Sequence, residues 1–549
     1  MKKIFLILIL FSLVSFSSDK KIIYSGWDSP TTDFVKENWR EMDKVPIDGF
    51  SLRIKIDRKG PMHTGNDLGW NLGRNIRFSF EQFKEAVEDM KDVKFKNLKD
   101  IFLTIQPNCG FSSGLTWFDD TRWDIFLNNV EVITKIAKEV KAVGLIIDWE
   151  AYNYNLFFYP YHKEKFFDAP FEEYEKKAFE RGSDMIKRIN KIFPDIKIYF
   201  YYSWEIILDS MKKYKDLSKA PYGLLLSFLE GMLSSSDKRT IFINGYEPSY
   251  GYKNEISFKE AKKRVLEEGI KITKYPEKFK KQVKMGYGLW LDYGGKWDTN
   301  DFENNYFTSE EFENALGYAL KYTDEYVWIY SHHARFFNNP NIPEKYLNAF
   351  KNVKNKNWIP VKTERKKEYK SEKTSTTLLK TAEYIERNPR YKEENVFKEF
   401  YERYKFVMDL PLSGWKFKQD PENKGEKEGY YKENLDDKDW RDIKIGQWWE
   451  DFGINYDGYS WYRGEFEVSK EILNKRLYLV FGAVDESCYI YINGNFVGKH
   501  DIGESGWDMP FKIDITGKLK EGKNKIVIKV YDSCNYGGIW QKIKLFTEK

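Results

Sequence analysis

From Lys21 to about Pro360 the chain repeats one unit eight times: a short apolar, β-branched or aromatic run, then a longer stretch whose apolar residues recur at three and four. The runs are IIYSGW (22–27), DGFSLRI (48–54), DIFLTIQ (100–106), VGLIIDWE (143–150), IKIYFYYSW (196–204), RTIFINGYE (239–247), VKMGYGLWLD (283–292) and EYVWIYSH (325–332). Between them lie amphipathic segments such as FDDTRWDIFLNNVEVITKIAKEVKA and FEEYEKKAFERGSDMIKRINKIF. Strands alternating with helices of this length predict a parallel sheet, and eight such units predict an α/β fold of the (β/α)8 TIM-barrel type over residues 21–360.

The pattern then changes. Residues 361–407 open on the polar, charged ERKKEYKSEKTSTT and continue with helical periodicity, which predicts a charged linker with a helical spacer. From 408 to 549 short alternating strands with turn signals, among them RLYLVFGAV, CYIYING, FKIDIT and KIVIKVYD, predict an all-β jelly-roll sandwich. The Asn-Gly pair in YINGNFVG marks a tight hairpin between two of them.

At the other end, MKKIFLILILFSLVSFSSDKK carries two lysines, an apolar run from Ile4 to Val14 and small residues at Ser15 and Ser17. This predicts a signal peptide over residues 1–17 and a periplasmic or extracellular protein. The run is short for a membrane span and no later segment has the apolarity of one, so no integral membrane segment is expected in the mature chain. Lys+Arg of 90 against Asp+Glu of 85 leaves +5, with the signs interspersed, which argues against a nucleic-acid partner. Cys109, Cys488 and Cys534 exclude a disulfide-dense scaffold; a Cys488–Cys534 bridge and three free thiols are the two readings left. No Cys/His cluster has zinc spacing, and no metal or other cofactor is expected.

In VGLIIDWE, alternation puts Ile146, Asp148 and Glu150 on one strand face and Leu145, Ile147 and Trp149 on the other. The apolar set should meet the outer helices, which leaves Asp148 and Glu150 facing inward at the C-terminal mouth, where barrel enzymes hold their active sites. Two carboxylates so close repel, which raises the proton affinity of one and fits it for general-acid work such as glycosidic cleavage. A second carboxylate is expected from Glu247, at the end of the sixth run. Sugar rings stack on aromatic faces while their hydroxyls need polar neighbours. Aromatics make up 18% of this chain. Trp27, Asp28, Gln106, Tyr202, Trp204, Tyr246, Tyr287, Trp290, Asp292 and Tyr330, with His332, stand at or near strand ends as candidate carbohydrate contacts.

The segment VGLIIDWE resembles the fourth strand of family 18 chitinase-type barrels, whose motif ends in Asp, any residue, Glu. The resemblance implies Glu150 as proton donor and Asp148 as the residue that orients the substrate's acetamido group. The motif's earlier aspartates are absent, with Val143, Leu145 and Ile146 in that stretch, so a second protein carboxylate is called for. The opening YSGWDSPTTDFVKENWREMDKVPIDGF resembles a large group of bacterial glycoside-hydrolase-like barrels. DWRDIKIGQWWEDFGINYDGYSWYRGEFEV, YLVFGAVDESCYIYINGNFVGKH and NKIVIKVYDSCNYGGIWQKIKL resemble the galactose-binding-like sugar-binding domain of family 2 glycoside hydrolases over residues 412–546. That domain implies binding or bracing, with Trp448, Trp449, Tyr459 and Trp461 as its candidate sugar contacts.

The sequence therefore predicts an exported glycoside hydrolase with Glu150 as acid and Glu247, or a substrate group, as nucleophile or base. The rival is a non-catalytic glycan-binding cell-surface protein. A second carboxylate facing Glu150 separates the two.

Overall fold

The computed structural model describes residues 20–107, 115–151, 155–365, 380–501, 503, 506–533 and 536–549. Nine short strands form one parallel sheet: β1 Lys21–Tyr24, β2 Gly49–Leu52, β3 Asp100–Ile105, β4 Gly144–Ile147, β5 Lys197–Phe200, β6 Ile241–Asn244, β7 Val283–Met285, β8 Tyr287–Trp290 and β9 Tyr326–Tyr330. Their order is β7-β6-β5-β4-β3-β2-β1-β9-β8. β7 pairs with β6 and β8 with β9, and only Gly286 stands between β7 and β8. The run expected as one strand over 283–292 is thus the seventh stave broken at a glycine, and pairing of its two pieces with β6 and β9 closes a (β/α)8 barrel.

Helices follow the strands as the periodicity predicted. Asp119 caps the helix Asp120–Glu139 by accepting the Arg122 backbone N–H, and the helix Phe171–Ile192 sets its buried face against the helix Leu225–Ser235. Inside the barrel the side chains of Ile23, Phe102, Ile146, Tyr199, Ile243, Tyr326 and Trp328 make a separate apolar cluster. This cluster fixes the inward parity of each stave, because side chains alternate in and out along a strand.

The sandwich has two antiparallel sheets. One holds β10 Tyr404–Asp409, β14 Leu477–Phe481, β17 Phe511–Asp514 and β19 Ile543–Glu548, in the order β10-β19-β14-β17. The other holds β11 Trp415–Gln419, β12 Arg441–Ile443, β13 Gly458–Val468, β15 Ser487–Ile492, β16 Asn495–Asp501 and β18 Gly522–Asp532, in the order β12-β11-β13-β18-β15-β16. Asn493 and Gly494 both take positive φ, 48° and 80°, as a type I′ turn between β15 and β16 requires. Cys488 is a buried free thiol, while Cys109 and Cys534 lie outside the described residues.

The spacer is part of the sandwich's packing. Tyr384 and Tyr391 lie against Trp540, and Tyr384 also meets Trp448, while Thr381 hydrogen-bonds Asp451. Sandwich and barrel meet where Tyr531 Oη lies 3.1 Å from Ser257 Oγ and Asn254 Nδ2 donates to the Asp457 carbonyl at 3.3 Å.

The barrel's filling makes one stability expectation sharp. A Cβ on Gly288 would stand 2.7 Å from the Trp328 indole. Gly288→Ala should cost about 1–3 kcal/mol by overpacking, with an altered Trp fluorescence or near-UV circular dichroism, measured by urea unfolding. Unchanged stability would mean that the indole has room to move.

Candidate active site

Asp148, Glu150 and Glu247 line one cavity of about 390 Å3 beyond the C-terminal ends of the barrel strands. β4 ends at Ile147, but the Asp148 N–H still reaches the Ile105 carbonyl at 2.9 Å, so the strand's alternation carries through the acids. Trp149 points the other way, buried among Phe157, Phe200 and Phe228 on the barrel's outer side.

Asp148 is buried and held rigidly. Its Oδ2 accepts from Gln106 Nε2 at 2.6 Å and its Oδ1 from the Glu150 backbone N–H at 2.8 Å. Burial pushes its carboxyl up to about 6, against the two hydrogen bonds and with the help of the Glu150 charge. Glu150 itself is exposed to the cavity.

Glu247 follows a left-handed residue. Tyr246 has φ 44°, and this kink sends the Tyr246 ring into the core beside Tyr252 and Tyr287 while Glu247 joins the cavity. The Glu247 N–H donates to the Tyr201 carbonyl at 3.0 Å. Burial, then the charges of Asp148 and Glu150, hold the Glu247 carboxyl well above the usual range, against a hydrogen bond from Tyr250.

Among the expected sugar contacts, Trp27, Gln106, Trp290, Tyr330 and His332 line the cavity. Trp27 is 48% exposed, and its indole N–H donates to Tyr330 Oη at 2.8 Å, which leaves a ring face open at the rim. The others do not reach the cavity. Asp28 accepts the backbone N–H groups of Phe336, Phe337 and Asn338, and Asp292 accepts those of His332, His333 and Ala334. Both aspartates order the chain after β9. Tyr202 bonds Tyr222, Trp204 packs on Phe279, and Tyr287 donates to the Phe258 carbonyl at 2.5 Å. Tyr246 faces a second cavity, of about 270 Å3, between barrel and sandwich. The sandwich residues Trp448, Trp449, Tyr459 and Trp461 are all buried.

The sequence reading missed Arg53, Asp67, Trp70, Tyr201 and Tyr250 on the cavity wall. Arg53 Nε donates to Asp67 Oδ2 at 2.8 Å. Arg53 and Tyr201 lie on the inward parity of their staves and could have been found by the rule that found Asp148. Asp67, Trp70 and Tyr250 come from connecting segments and carry no such signal.

Residues 450–547 match the family described as "Glycosyl hydrolases family 2, sugar binding domain". A putative beta-glucuronidase of Formosa agariphila is 32% identical over 139 residues, covering 21% of this chain and 13% of that protein. A beta-galactosidase of Clostridium acetobutylicum is 32% identical over 92 residues, covering 15% of this chain and 10% of that protein. Among solved structures, the apo b-glucuronidase of Ruminococcus gnavus aligns with 26% of this chain and 29% of its own at 23% identity and a TM-score of 0.24. The chain thus spans 13% and 10% of the length of the two curated relatives. The architecture is a barrel followed by a sandwich, and the match to the family 2 sugar-binding domain falls in the sandwich.

Asp148 makes the folded protein sensitive to pH. An acid whose proton affinity is raised on folding favours the folded state below its unfolded value, and that contribution is lost as pH rises through the folded value. The loss therefore falls between about pH 4 and about pH 6 and amounts to about 3 kcal/mol. Asp148→Asn keeps an acceptor for Glu150, and the unpartnered Gln106 Oε1 can turn to take the new amide N–H. The variant should match the wild type near pH 4 and exceed it in urea unfolding at neutral pH. Equal stability at both pH values would mean that Asp148 ionises freely.

Proposed function

We propose that the protein is an exported glycoside hydrolase whose acid and base are drawn from Glu247 and Glu150. One observation carries this reading: besides Asp67, which Arg53 pairs, three carboxylates share a cavity whose rim and walls offer the aromatic rings of Trp27 and Trp290. Hydrolysis of a glycosidic bond needs one carboxyl that gives a proton to the leaving oxygen and one that acts as nucleophile or activates water. The cavity meets the first need because three clustered acids cannot all ionise in a partly apolar site. A non-catalytic sugar-binding site has no call for that cost. The relatives named beta-glucuronidase and beta-galactosidase support a glycosidic substrate, and the charged start with its apolar run supports export.

The roles within the pair follow from proton affinity. Glu247 is the carboxyl whose surroundings raise its proton affinity well above the ordinary range, so the acid role falls to it. Glu150, exposed in the cavity, then serves as nucleophile or base, the reverse of the order implied by the resemblance to family 18 barrels. Asp148 fixes the strand end through the Glu150 N–H and adds charge that raises the proton affinity of Glu247. It is a positioning residue.

Leaving groups test the assignment. A general acid matters little when the leaving group departs without a proton, whereas a nucleophile or base is needed for every substrate. On unactivated glycosides Glu150→Gln and Glu247→Gln should each lose at least about a hundredfold in kcat. On dinitrophenyl glycosides Glu247→Gln should recover most of the loss and Glu150→Gln should not. The opposite pattern would return the acid role to Glu150, and full activity in both variants would remove hydrolysis from this cavity.

A further inference from the structure

A second group of acids lies in the sandwich, away from the barrel cavity. Asp485 and Glu486 immediately precede β15, and Asp532 closes β18. These strands pair with Ser487 opposite Tyr531, and Glu486 itself bridges Tyr531, so the register brings all three acids to one end of the sheet. One carboxylate oxygen from each lies within 4.8 Å of the others. The residues are 5%, 5% and 0% exposed, respectively.

Clustered acids alone do not make a site, and two further oxygens point to what is required here. Asp485 Oδ2 is buried and receives no hydrogen bond from any donor outside the acids themselves. Glu450, on the turn Trp449–Phe452, also has a buried oxygen, Oε1, without a partner, while its Oε2 accepts from the Gly537 N–H at 3.1 Å. The Glu450 charge acts on both Asp485 and Asp532. A buried carboxylate oxygen with no donor is costly, and such groups are normally paired or bound to a metal.

We propose that Asp485, Glu486 and Asp532 hold a calcium ion, whose charge would also offset that of Glu450. The donors are oxygens only, which selects a hard cation over zinc or copper. Calcium–oxygen bonds of about 2.3–2.6 Å put ligands on opposite sides of the ion about 4.6–5.2 Å apart, which the observed spread fits. Magnesium keeps several waters in a regular octahedron, for which so enclosed a site is poorly suited. The ion would tie the start of β15 to the end of β18 beside the contact between sandwich and barrel, where Ser257 Oγ donates to the Ser533 carbonyl at 3.5 Å. Its work is structural, and it lies outside the chemistry of the barrel cavity.

The test uses the full chain and calcium itself. After dialysis against buffer without calcium, elemental analysis of the wild type should find one calcium per chain. A chelator should lower Tm by about 5 °C or more, and added calcium should restore it. Asp485→Asn should hold less than a tenth of the calcium and lose the chelator effect; Asp532→Asn gives a second reading if the first variant fails to fold. With no ion, replacing one acid of a repelling cluster relieves that repulsion, so the opposite sign is informative. A metal-free wild type with a Tm indifferent to chelator, or an Asp485→Asn chain more stable than wild type in calcium, overturns the proposal.

Discussion

The mouth of the barrel depends on how its axis is filled. An eight-stranded barrel is just wide enough for side chains to occupy its interior. Here Trp328 stacks on Tyr201 with ring centroids 4.0 Å apart and planes at 11°, and its indole N–H donates to the Gly245 carbonyl at 2.9 Å. Tyr250 leans on the same indole and stacks on Tyr330. Below, Phe102, Tyr199 and Tyr326 meet edge to face. Rings have few torsions, so this column forms a stiff floor beneath the acids, and a stiff floor is what holds reacting groups in place. It demands space in return, which the missing side chain at Gly288 supplies.

That floor also sets the electrostatics. Water that would surround Asp148 and Glu247 on a surface is replaced by rings and backbone, and loss of water is the largest influence on both. Arg53, the cation on the cavity wall, is paired with Asp67 and does not figure among the main influences on either acid. The raised proton affinity of both acids is thus not offset by Arg53, whose charge is neutralised by a partner of its own. Packing and proton affinity are one constraint seen twice.

This dependence explains what the sequence disclosed. Period and run length located all eight staves, because each must bury one face against helices and the other against the axis. Alternation placed Asp148 and Glu150 inward, since Leu145, Ile147 and Trp149 had nowhere to go but outward. The same rule applied to the fifth stave selects Tyr201 over Tyr202, and on the seventh it selects Trp290 over Tyr287. Aromatic identity alone could not make that choice, because this chain uses the same ring types for the axis, the outer core and the rim. Glu247 is different in kind. It sits beyond a left-handed Tyr246, and such a kink has no signature in a residue that usually avoids positive φ. Its place in the cavity was legible from its position at the end of the sixth run together with the need for a second acid, and not from alternation.

The sandwich presents the opposite case, in which a strong resemblance did not carry its expected residues to a surface. Trp448, Trp449, Tyr459 and Trp461 keep the pattern of a sugar-binding domain, yet each is closed over. Part of that cover comes from outside the domain's own strands. Tyr384 and Tyr391 of the spacer stack on one another and lie against Trp540, and Tyr391 Oη donates to Asp508 at 2.9 Å. A polar, helical segment that looked like a tether is thus a lid on an aromatic cluster, and the rings beneath it have apolar partners instead of sugars. Tyr459 is turned toward the barrel, where with Tyr531 it lines the cavity between the two units. Rings buried by the chain's own segments stabilise by the area they remove from water. The four rings expected as sugar contacts in the C-terminal half therefore pack the sandwich and its contact with the barrel, while Trp27 at the barrel's mouth is about half exposed.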